Sequence, residues 1–222
     1  MSSPRVPFLA LAVALAGCAG SSRAAHDRAL PPPATQSRAG TRDPGAGPAP
    51  GSPRKAQARL APPAREAAAR RAVAAAEALV GRREIVASGV RWGDGCAALV
   101  RAAFAEAGAP LPAAATDAPA LLAVARQRGA VRRSRPAPGD LAFLADRPGG
   151  PAEHVGLVAS VAPDGTALVL HHTERGVVRI HVNAAQPWKA RTDGGKALND
   201  VVLVGGGRVT AGRLLVGWAT LL

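Results

Sequence analysis

A cysteine stands at the predicted start of an amphipathic helix, in the stretch WGDGCAALVRAAFAEAG that begins at Trp92. Apolar side chains follow Cys96 at helical spacing, and the helix is predicted to begin near Asp94, which can cap its first turn. The N–H groups of a helix N-terminus stabilise a thiolate, so this position favours a nucleophile. The alternative is a small buried apolar residue, because other apolar side chains share the face of Cys96.

A nucleophilic thiol needs a general base, and histidines on predicted strands are the candidates. His154 opens the strand HVGLVASV, whose alternation places His154 on one face with Gly156. Gly156 leaves space on that face for a neighbouring group. A third polar residue would hold the imidazole in one tautomer and orientation. The next strand ends in His171 and His172, whose side chains point to opposite faces.

The hairpin turn decides which of these two histidines faces His154. A two-residue turn in the Pro-Asp-Gly connection pairs Val158 with His171, on the His154 face. A three-residue loop with a bulge pairs Gly156 with His172 instead. On the residues alone, both registers stay open.

The elements that must position these side chains change from helical to extended along the chain. Helices are predicted from Ala64 to about Gly81 and from Asp117, as N-cap, to Gly129, with the stretch RREIVASGVRWGDG as a loop. Strands are predicted in LAFL, HVGLVASV, TALVLHH and GVVRIHVN, and GRLLVGWATLL is predicted to be a last strand or a buried segment. His181, on GVVRIHVN, is expected to be solvated. Helices before antiparallel strands predict an α+β domain, with N-terminal helices packed on a small antiparallel β-sheet.

The first 17 residues are predicted to be a signal peptide. Arg5 precedes the apolar run VPFLALAVALAG, which is too short to span a bilayer and ends in LAGC at Cys18. This arrangement resembles the lipobox of bacterial lipoproteins, in which the cysteine is diacylated and becomes the new N-terminus. The resemblance implies an extracytoplasmic protein anchored through Cys18 to a cell-envelope membrane, on its periplasmic face. Ala19 is compatible with an outer membrane.

A tether is predicted over residues 18–62 and a folded domain over residues 63–222. The tether is rich in Pro, Gly, Ala and Arg and nearly free of large apolar residues, so it cannot bury enough surface to offset its chain entropy. We expect it to be disordered. With only two cysteines in the chain and Cys18 used for lipid, no intramolecular disulfide is expected for Cys96.

The net charge of +13 at pH 7 favours polyanionic surroundings. Lipid head groups and acidic envelope polymers are the polyanions that an exported protein meets. The sequence has no helix-turn-helix, zinc-finger or RNA-binding signature, no Tyr and three Phe. We therefore expect no nucleic-acid partner.

Three stretches, GDGCAALVRAAFAEAGAPLP, RPAPGDLAFL and EHVGLVASVAPDGTALVLHH, follow one another over about residues 83–220. Together they resemble the NlpC-type family of papain-like cell-wall cysteine peptidases, with the CHAP amidases as close relatives. The resemblance implies a papain-like fold with Cys96 as nucleophile, His154 as base and a polar residue on the following strand to orient His154. We favour His171 over His172 for that third position, because the spacing from His171 to the next Gly-Val pair is similar to the family's pattern.

The resemblance implies a peptidoglycan hydrolase that cleaves stem-peptide amide bonds, foremost the bond between γ-D-glutamate and the diamino acid. An N-acetylmuramoyl-L-alanine amidase of the CHAP type uses the same machinery, and a catalytically weakened wall-binding lipoprotein of the same fold is a further alternative. Peptidoglycan stem peptides and the membrane are the implied partners, and a monomer without cofactor or metal is expected. Zinc ligation by Cys96 and the histidines is disfavoured, because adjacent histidines are not a common ligand spacing.

The residues around Cys96 depart from the family's pattern. Gly95 stands where the family has Asp, and Ala97 and Ala98 replace its usual Ser-Gly. The family's upstream tyrosine, which helps to form the oxyanion site, has no counterpart because the chain contains no tyrosine. The backbone N–H of Cys96 can still donate to an oxyanion.

Overall fold

The computed structural model of the chain describes residues 62–222 and one two-residue strand near the N-terminus, β1 (Val13–Ala14). Cys18, the rest of the predicted signal peptide and the predicted tether through residue 61 lie outside the described residues. The signal peptide, the lipidated cysteine and the domain boundaries therefore stay predictions. No helix in the described part of the chain is long and apolar enough to cross a membrane.

Four helices and ten further strands follow in the described residues. The helices are α1 (Pro62–Glu77), α2 (Cys96–Glu106), α3 (Ala118–Gln127) and α4 (Ala211–Leu214). The strands are β2 (Ile85–Ala87), β3 (Val90–Gly93), β4 (Val131–Arg132), β5 (Leu141–Leu144), β6 (His154–Val161), β7 (Ala167–Thr173), β8 (Gly176–Val182), β9 (Val201–Val204), β10 (Gly207–Thr210) and β11 (Leu215–Ala219).

Six of these strands form one antiparallel sheet in the order β4-β11-β5-β6-β7-β8. β2 and β3 form a hairpin, and β9 pairs antiparallel with β10 and parallel with β1. Helices α1 to α3 precede the sheet in the chain and α2 packs on β6 and β7. The α+β class, with N-terminal helices on a small antiparallel sheet, is confirmed.

Alternation along the central strands divides the apolar core in two. Leu157 of β6 and Leu170 of β7 are paired and belong to the cluster that includes the helices. Val158 and Val169, the next pair, belong to a second cluster that is completed by residues such as Trp218. A strand whose two faces are both buried reads as nearly continuous apolar sequence, as HVGLVASV does.

The buried face of helix α1 carries only small side chains, those of Ala68, Ala69, Ala72 and Ala76. These small residues allow α2 to approach closely. The helix ends at Glu77, before the predicted end at Gly81. The chain leaves it in a turn, and the Gly81 N–H donates to the Val177 carbonyl oxygen at 2.8 Å, which ties the turn to β8.

The prediction of a loop before α2 is wrong for part of its length, because β2 and β3 form a hairpin there. Ala87 pairs with Val90, which leaves a two-residue turn of Ser88 and Gly89. Both turn residues have positive φ, 45° and 74°. This is the combination that tight hairpin turns require, and a Ser-Gly pair between apolar residues was its signal in the sequence.

The predicted capping of α2 by Asp94 is also wrong. The N-cap is Gly95, with φ 97° and ψ 166°, a backbone conformation that favours glycine. The Leu99 N–H closes the first turn on the Gly95 carbonyl oxygen at 3.3 Å. Glycine at the position where the resemblance expects Asp therefore starts the helix at Cys96, and no side chain caps its N-terminus.

Neither predicted register of the β6–β7 hairpin is correct. Near the turn, Val161 pairs with Ala167 and Ser160 with Leu168, which fits a three-residue loop. A bulge between Val158 and Ser160 then shifts the register by one, so that Leu157 pairs with Leu170. A bulge adds one unpaired residue and reverses which side chains share a face.

Candidate active site

Helix α2 places Cys96 in its first turn, and the side chain is buried, with 5% exposure. The face that follows it, which includes Leu99, Val100 and Phe104, is fully buried against α1 and the sheet. Both interpretations of Cys96 from the sequence are thus compatible with its burial. The two interpretations differ in the neighbours that they require around the thiol.

Strand β6 begins at His154, which pairs across the sheet with Leu144 of β5. Two residues on, Gly156 brings β6 and β7 close together. A Cβ atom on Gly156 would lie 2.4 Å from Val169 Cγ1 and 2.8 Å from the Leu170 carbonyl oxygen. The predicted space beside Gly156 is therefore filled by β7 itself, the strand that carries His171.

Because Leu157 pairs with Leu170, alternation places His171 on the same face of the sheet as His154. Their rings meet edge to face, with centroids 5.5 Å apart and an angle of 83° between the planes. The Cys96 Sγ and one ring nitrogen of each histidine all lie within 4.8 Å of one another. The three side chains that the sequence singled out thus form one buried group.

His172 lies on the opposite face. Its Nε2 is 2.5 Å from the Arg83 carbonyl oxygen, before the β2–β3 hairpin. His181, expected to be solvated, is half-exposed, and its Nδ1 lies 3.2 Å from Asp200 Oδ2. Of the two candidates for the third position, only His171 contacts the His154 ring.

His171 is neutral in the folded protein. Burial is the main cause that lowers the pKa of His171 from 6.5 to about 3, and the nearby His154 and His172 lower it further. Neither of its ring nitrogens has a hydrogen-bond partner among the described residues. A neutral imidazole beside His154 does not compete with His154 for a proton.

Sequence reasoning missed Asp146, whose Oδ1 lies 2.6 Å from His154 Nε2. The carboxylate side chain is half-exposed, whereas the His154 ring is buried. Asp146 follows β5 by two residues, and β5 pairs directly with β6. The antiparallel pairing of the two predicted strands was the available signal, because it returns the end of one strand to the start of the next.

The Pro-Gly-Asp-Leu stretch before β5 has a structural function. Asp140 is buried and accepts hydrogen bonds from the Ala137 N–H at 2.5 Å and the Thr220 hydroxyl at 2.6 Å, and it pairs with Arg132. Desolvation by burial raises the pKa of Asp140, although these partners oppose the shift. The network joins the turn before β5 to the residue after β11, and so fixes the strand that leads to Asp146.

The three side chains offer a thiol, a potential base and a second imidazole in a buried space, which is what nucleophilic catalysis by cysteine requires. Thiolate and imidazole are also zinc ligands, so Cys96, His154 and His171 are the described residues that could hold a metal ion. A carboxylate hydrogen-bonded to the imidazole, as Asp146 is to His154, is compatible with either arrangement.

Comparison with known proteins finds similarity to one domain family around this group. Residues 85–173 match the CHAP domain family, and no curated protein matches the chain. A solved structure of an NlpC/P60 family protein from Bacillus cereus is similar, with 19% sequence identity, coverage of 69% of this chain and a TM-score of 0.43. The match spans 40% of the length of that protein. Residues 85–173 contain Cys96, His154 and His171, so the candidate site lies within the segment that is similar to the CHAP domain family, one of the two related families that the sequence motifs resemble.

Proposed function

We propose that this protein is a peptidoglycan hydrolase that cleaves stem-peptide amide bonds, with Cys96 as nucleophile, His154 as general base and acid, and His171 as the third member of the group. The observation that carries the proposal is the approach of the Cys96 Sγ and both imidazoles to within 4.8 Å of one another, inside the segment that matches the CHAP domain. A buried apolar cysteine needs no such neighbours.

The reaction proceeds in two steps. The Cys96 thiol gives its proton to His154, and the thiolate attacks the carbonyl carbon of the amide. The C–N bond breaks as His154 returns the proton to the leaving amine, which leaves a thioester on Cys96. His154 then takes a proton from water, the hydroxide attacks the thioester, and the carboxylic acid departs as the Cys96 thiol is restored.

Helix α2 supports the charges that form in these steps. Its N-terminus carries partial positive charge, which favours the thiolate, and Gly95 leaves that N-terminus without a side-chain cap. The backbone N–H of Cys96 can donate to the oxyanion of the tetrahedral intermediate. Glycine in place of Asp at position 95 therefore suits the chemistry.

Two amide bonds of peptidoglycan are candidate substrates. The bond between γ-D-glutamate and the diamino acid is our first choice, on the resemblance of the motifs to the NlpC-type peptidases. The CHAP match favours a second candidate, the N-acetylmuramoyl-L-alanine amide between sugar and peptide. The same three side chains serve either bond.

The substrate and the N-terminal sequence suggest one location. Peptidoglycan lies outside the cytoplasm, and a diacylated Cys18 would hold the chain on a cell-envelope membrane beside it. The tether over residues 18–62 would let the domain reach the wall.

Product analysis tests the proposal. Isolated peptidoglycan is incubated with the purified chain, with Cys96→Ala and with His154→Ala, and the fragments are identified by mass spectrometry. We expect new amino termini on the diamino acid with the wild type and none with either variant. New termini on L-alanine, with unsubstituted muramic acid, would assign the amidase activity instead.

Two other outcomes would overturn the proposal. Wild-type protein that sediments with peptidoglycan but releases nothing would indicate a wall-binding protein. Turnover that persists in Cys96→Ala and is lost on treatment with a chelator would indicate a metal-dependent reaction.

A further inference from the structure

His154 is held by two neighbours in different ways. Asp146 Oδ1 lies 2.6 Å from its Nε2, within hydrogen-bond distance. His171 contacts the ring edge to face, at a centroid distance of 5.5 Å, and its own nitrogens have no hydrogen-bond partner among the described residues. The hydrogen bond on the base therefore comes from a residue that the sequence motifs do not include.

We propose that Asp146 is the positioning residue for His154, and that it fixes the tautomer in which Nε2 carries the proton and Nδ1 is the base. This inference rests on the proposed function, in which His154 serves Cys96. His171 keeps its place in the group through ring contact, and Asp146 supplies the orienting hydrogen bond.

The chemistry of the carboxylate determines the tautomer. An ionised carboxylate only accepts hydrogen bonds, so the nitrogen that faces it must carry a hydrogen. Nε2 faces Asp146, and Nδ1 is then the unprotonated nitrogen of the neutral ring. When His154 takes the proton from the thiol, the same carboxylate stabilises the imidazolium.

The fold gives Asp146 a defined position in spite of its exposure. The Ala145 N–H donates to the Leu214 carbonyl oxygen at 2.8 Å, and the Glu153 N–H donates to the Leu144 carbonyl oxygen at 2.9 Å. These bonds hold both ends of the connection between β5 and β6. Asp146 follows the first of them directly, so its backbone is fixed beside the start of β6.

Exposure also distinguishes the two neighbours of His154. Asp146 is 51% exposed in its side chain, so water reaches its carboxylate. His171 is fully buried and neutral. One neighbour thus supplies a hydrogen-bond acceptor from the solvent side, and the other supplies packing from the interior.

The experiment compares Asp146→Ala and Asp146→Asn with the matched control Glu153→Ala, an exposed carboxylate next to His154 in sequence. Three quantities are measured on the full chain. The first is the ¹⁵N chemical shifts of the His154 ring at about pH 8, where an ordinary imidazole is neutral. The second is the rate at which iodoacetamide alkylates Cys96, followed on the peptide that contains this residue. The third is kcat and KM on peptidoglycan.

We expect the wild type and Glu153→Ala to show the tautomer with hydrogen on Nε2, and Asp146→Ala to show both tautomers. The Asp146→Asn amide can donate to Nε2 and favours the opposite tautomer, although it is nearly isosteric. We expect kcat to fall about 10- to 100-fold in both variants, less than the whole contribution of a general base. Alkylation of Cys96 should slow in parallel, and KM should change little.

A purely structural role for Asp146 predicts instead that kcat falls only in Asp146→Ala and that the nearly isosteric Asp146→Asn stays close to wild type. That result, or an equal loss in Glu153→Ala, would overturn the inference. Wild-type protein that fails to cleave peptidoglycan, while the tautomer and the alkylation rate respond to Asp146 as expected, would overturn the proposed function alone. Wild-type turnover that is unchanged in Asp146→Ala would overturn the inference alone.

Discussion

His154 and His171 meet edge to face because a bulge in β6, between Val158 and Ser160, sets the register of the β6–β7 hairpin. Without the extra residue, His172 and not His171 would share the face of His154. The bulge therefore selects which of two adjacent histidines joins Cys96. It also places the fully buried imidazole of His171 next to the imidazole of His154, a second titratable group.

The first prediction concerns the pH dependence of stability. Because the pKa of His171 is lowered to about 3 in the fold, the unfolded chain binds a proton here below about pH 6.5 that the native chain does not bind until about pH 3. The free energy of unfolding should therefore fall as the pH falls through this window, by about 1.4 kcal/mol per pH unit from this group. Urea unfolding between these pH values measures the slope.

His171→Phe keeps a ring in the same place and removes the titration. The variant should lose this component of the slope, whereas His181→Ala, which changes a half-exposed histidine, should keep it. Equal slopes in wild type and His171→Phe would show that His171 titrates normally in the fold.

The second prediction concerns Gly156. An alanine Cβ there would overlap Val169 Cγ1 and the Leu170 carbonyl oxygen, at 2.4 and 2.8 Å. Because a backbone atom cannot move aside alone, β6 and β7 must separate, and we expect a loss of about 1–3 kcal/mol in the free energy of unfolding. The shift of His154 against His171 should lower hydrolysis as well.

Gly194→Ala is the matched control, since its Cβ would have only Thr192 Oγ1 within 4 Å, at 3.8 Å. Denaturant unfolding and hydrolysis assays of both variants check the prediction. A Gly156→Ala protein with wild-type stability would contradict the close approach of β7 to Gly156.

The third prediction is that Asp140, in the Pro-Gly-Asp-Leu turn, contributes to stability and not to catalysis. Asp140→Ala leaves Arg132, the Thr220 hydroxyl and the Ala137 N–H without their acceptor, so the free energy of unfolding should fall by about 2–3 kcal/mol. The exposed Asp193→Ala should change it by less than about 0.5 kcal/mol. Below the unfolding transition, Asp140→Ala should retain kcat within about threefold, because it touches none of the reacting groups.

A loss of kcat in folded Asp140→Ala as large as that of His154→Ala would place Asp140 in the chemistry and contradict this assignment. Circular dichroism at the assay temperature confirms that the variant is folded during the measurement.

The candidate catalytic residues were predictable where their signal in the sequence is local. Cys96 at a helix start and His154 at the start of an alternating strand follow from the spacing of apolar side chains over a few residues. The order of helices and antiparallel strands followed from the same patterns. Asp117 was correctly predicted to cap α3, since its side chain accepts from the Ala120 N–H at 2.8 Å.

Features that depend on pairing between strands were not predictable in this way. The bulge that brings His171 to His154 has no signal in the sequence, because the residue at the bulge is Ala159, which also occurs in regular strands. From the sequence, Asp146 is only a polar residue after a predicted strand. The pairing of β5 with β6 is what brings it beside His154. The sequence offers Asp94 and Gly95 as neighbouring candidates for the N-cap of α2. The N-cap is Gly95 because of its backbone conformation, which the sequence does not show.

The fourth prediction concerns Cys18, which lies outside the described residues. If Cys18 is diacylated after removal of residues 1–17, the mature protein begins at this cysteine and carries the mass of the lipid. Intact-mass spectrometry of protein expressed in a bacterium with lipoprotein processing checks this, and Cys18→Ser should abolish both the added mass and partition into detergent. Mature protein without lipid on Cys18 would show that the apolar run is another kind of signal.

The most direct test of the account is the rate at which Cys96→Ala releases new amino termini from isolated peptidoglycan, compared with wild type. We predict that wild-type protein releases them and that Cys96→Ala is slower by at least about 10³-fold, because the covalent step has no substitute. Release by Cys96→Ala at a rate close to that of the wild type would contradict the assignment of Cys96 as the nucleophile.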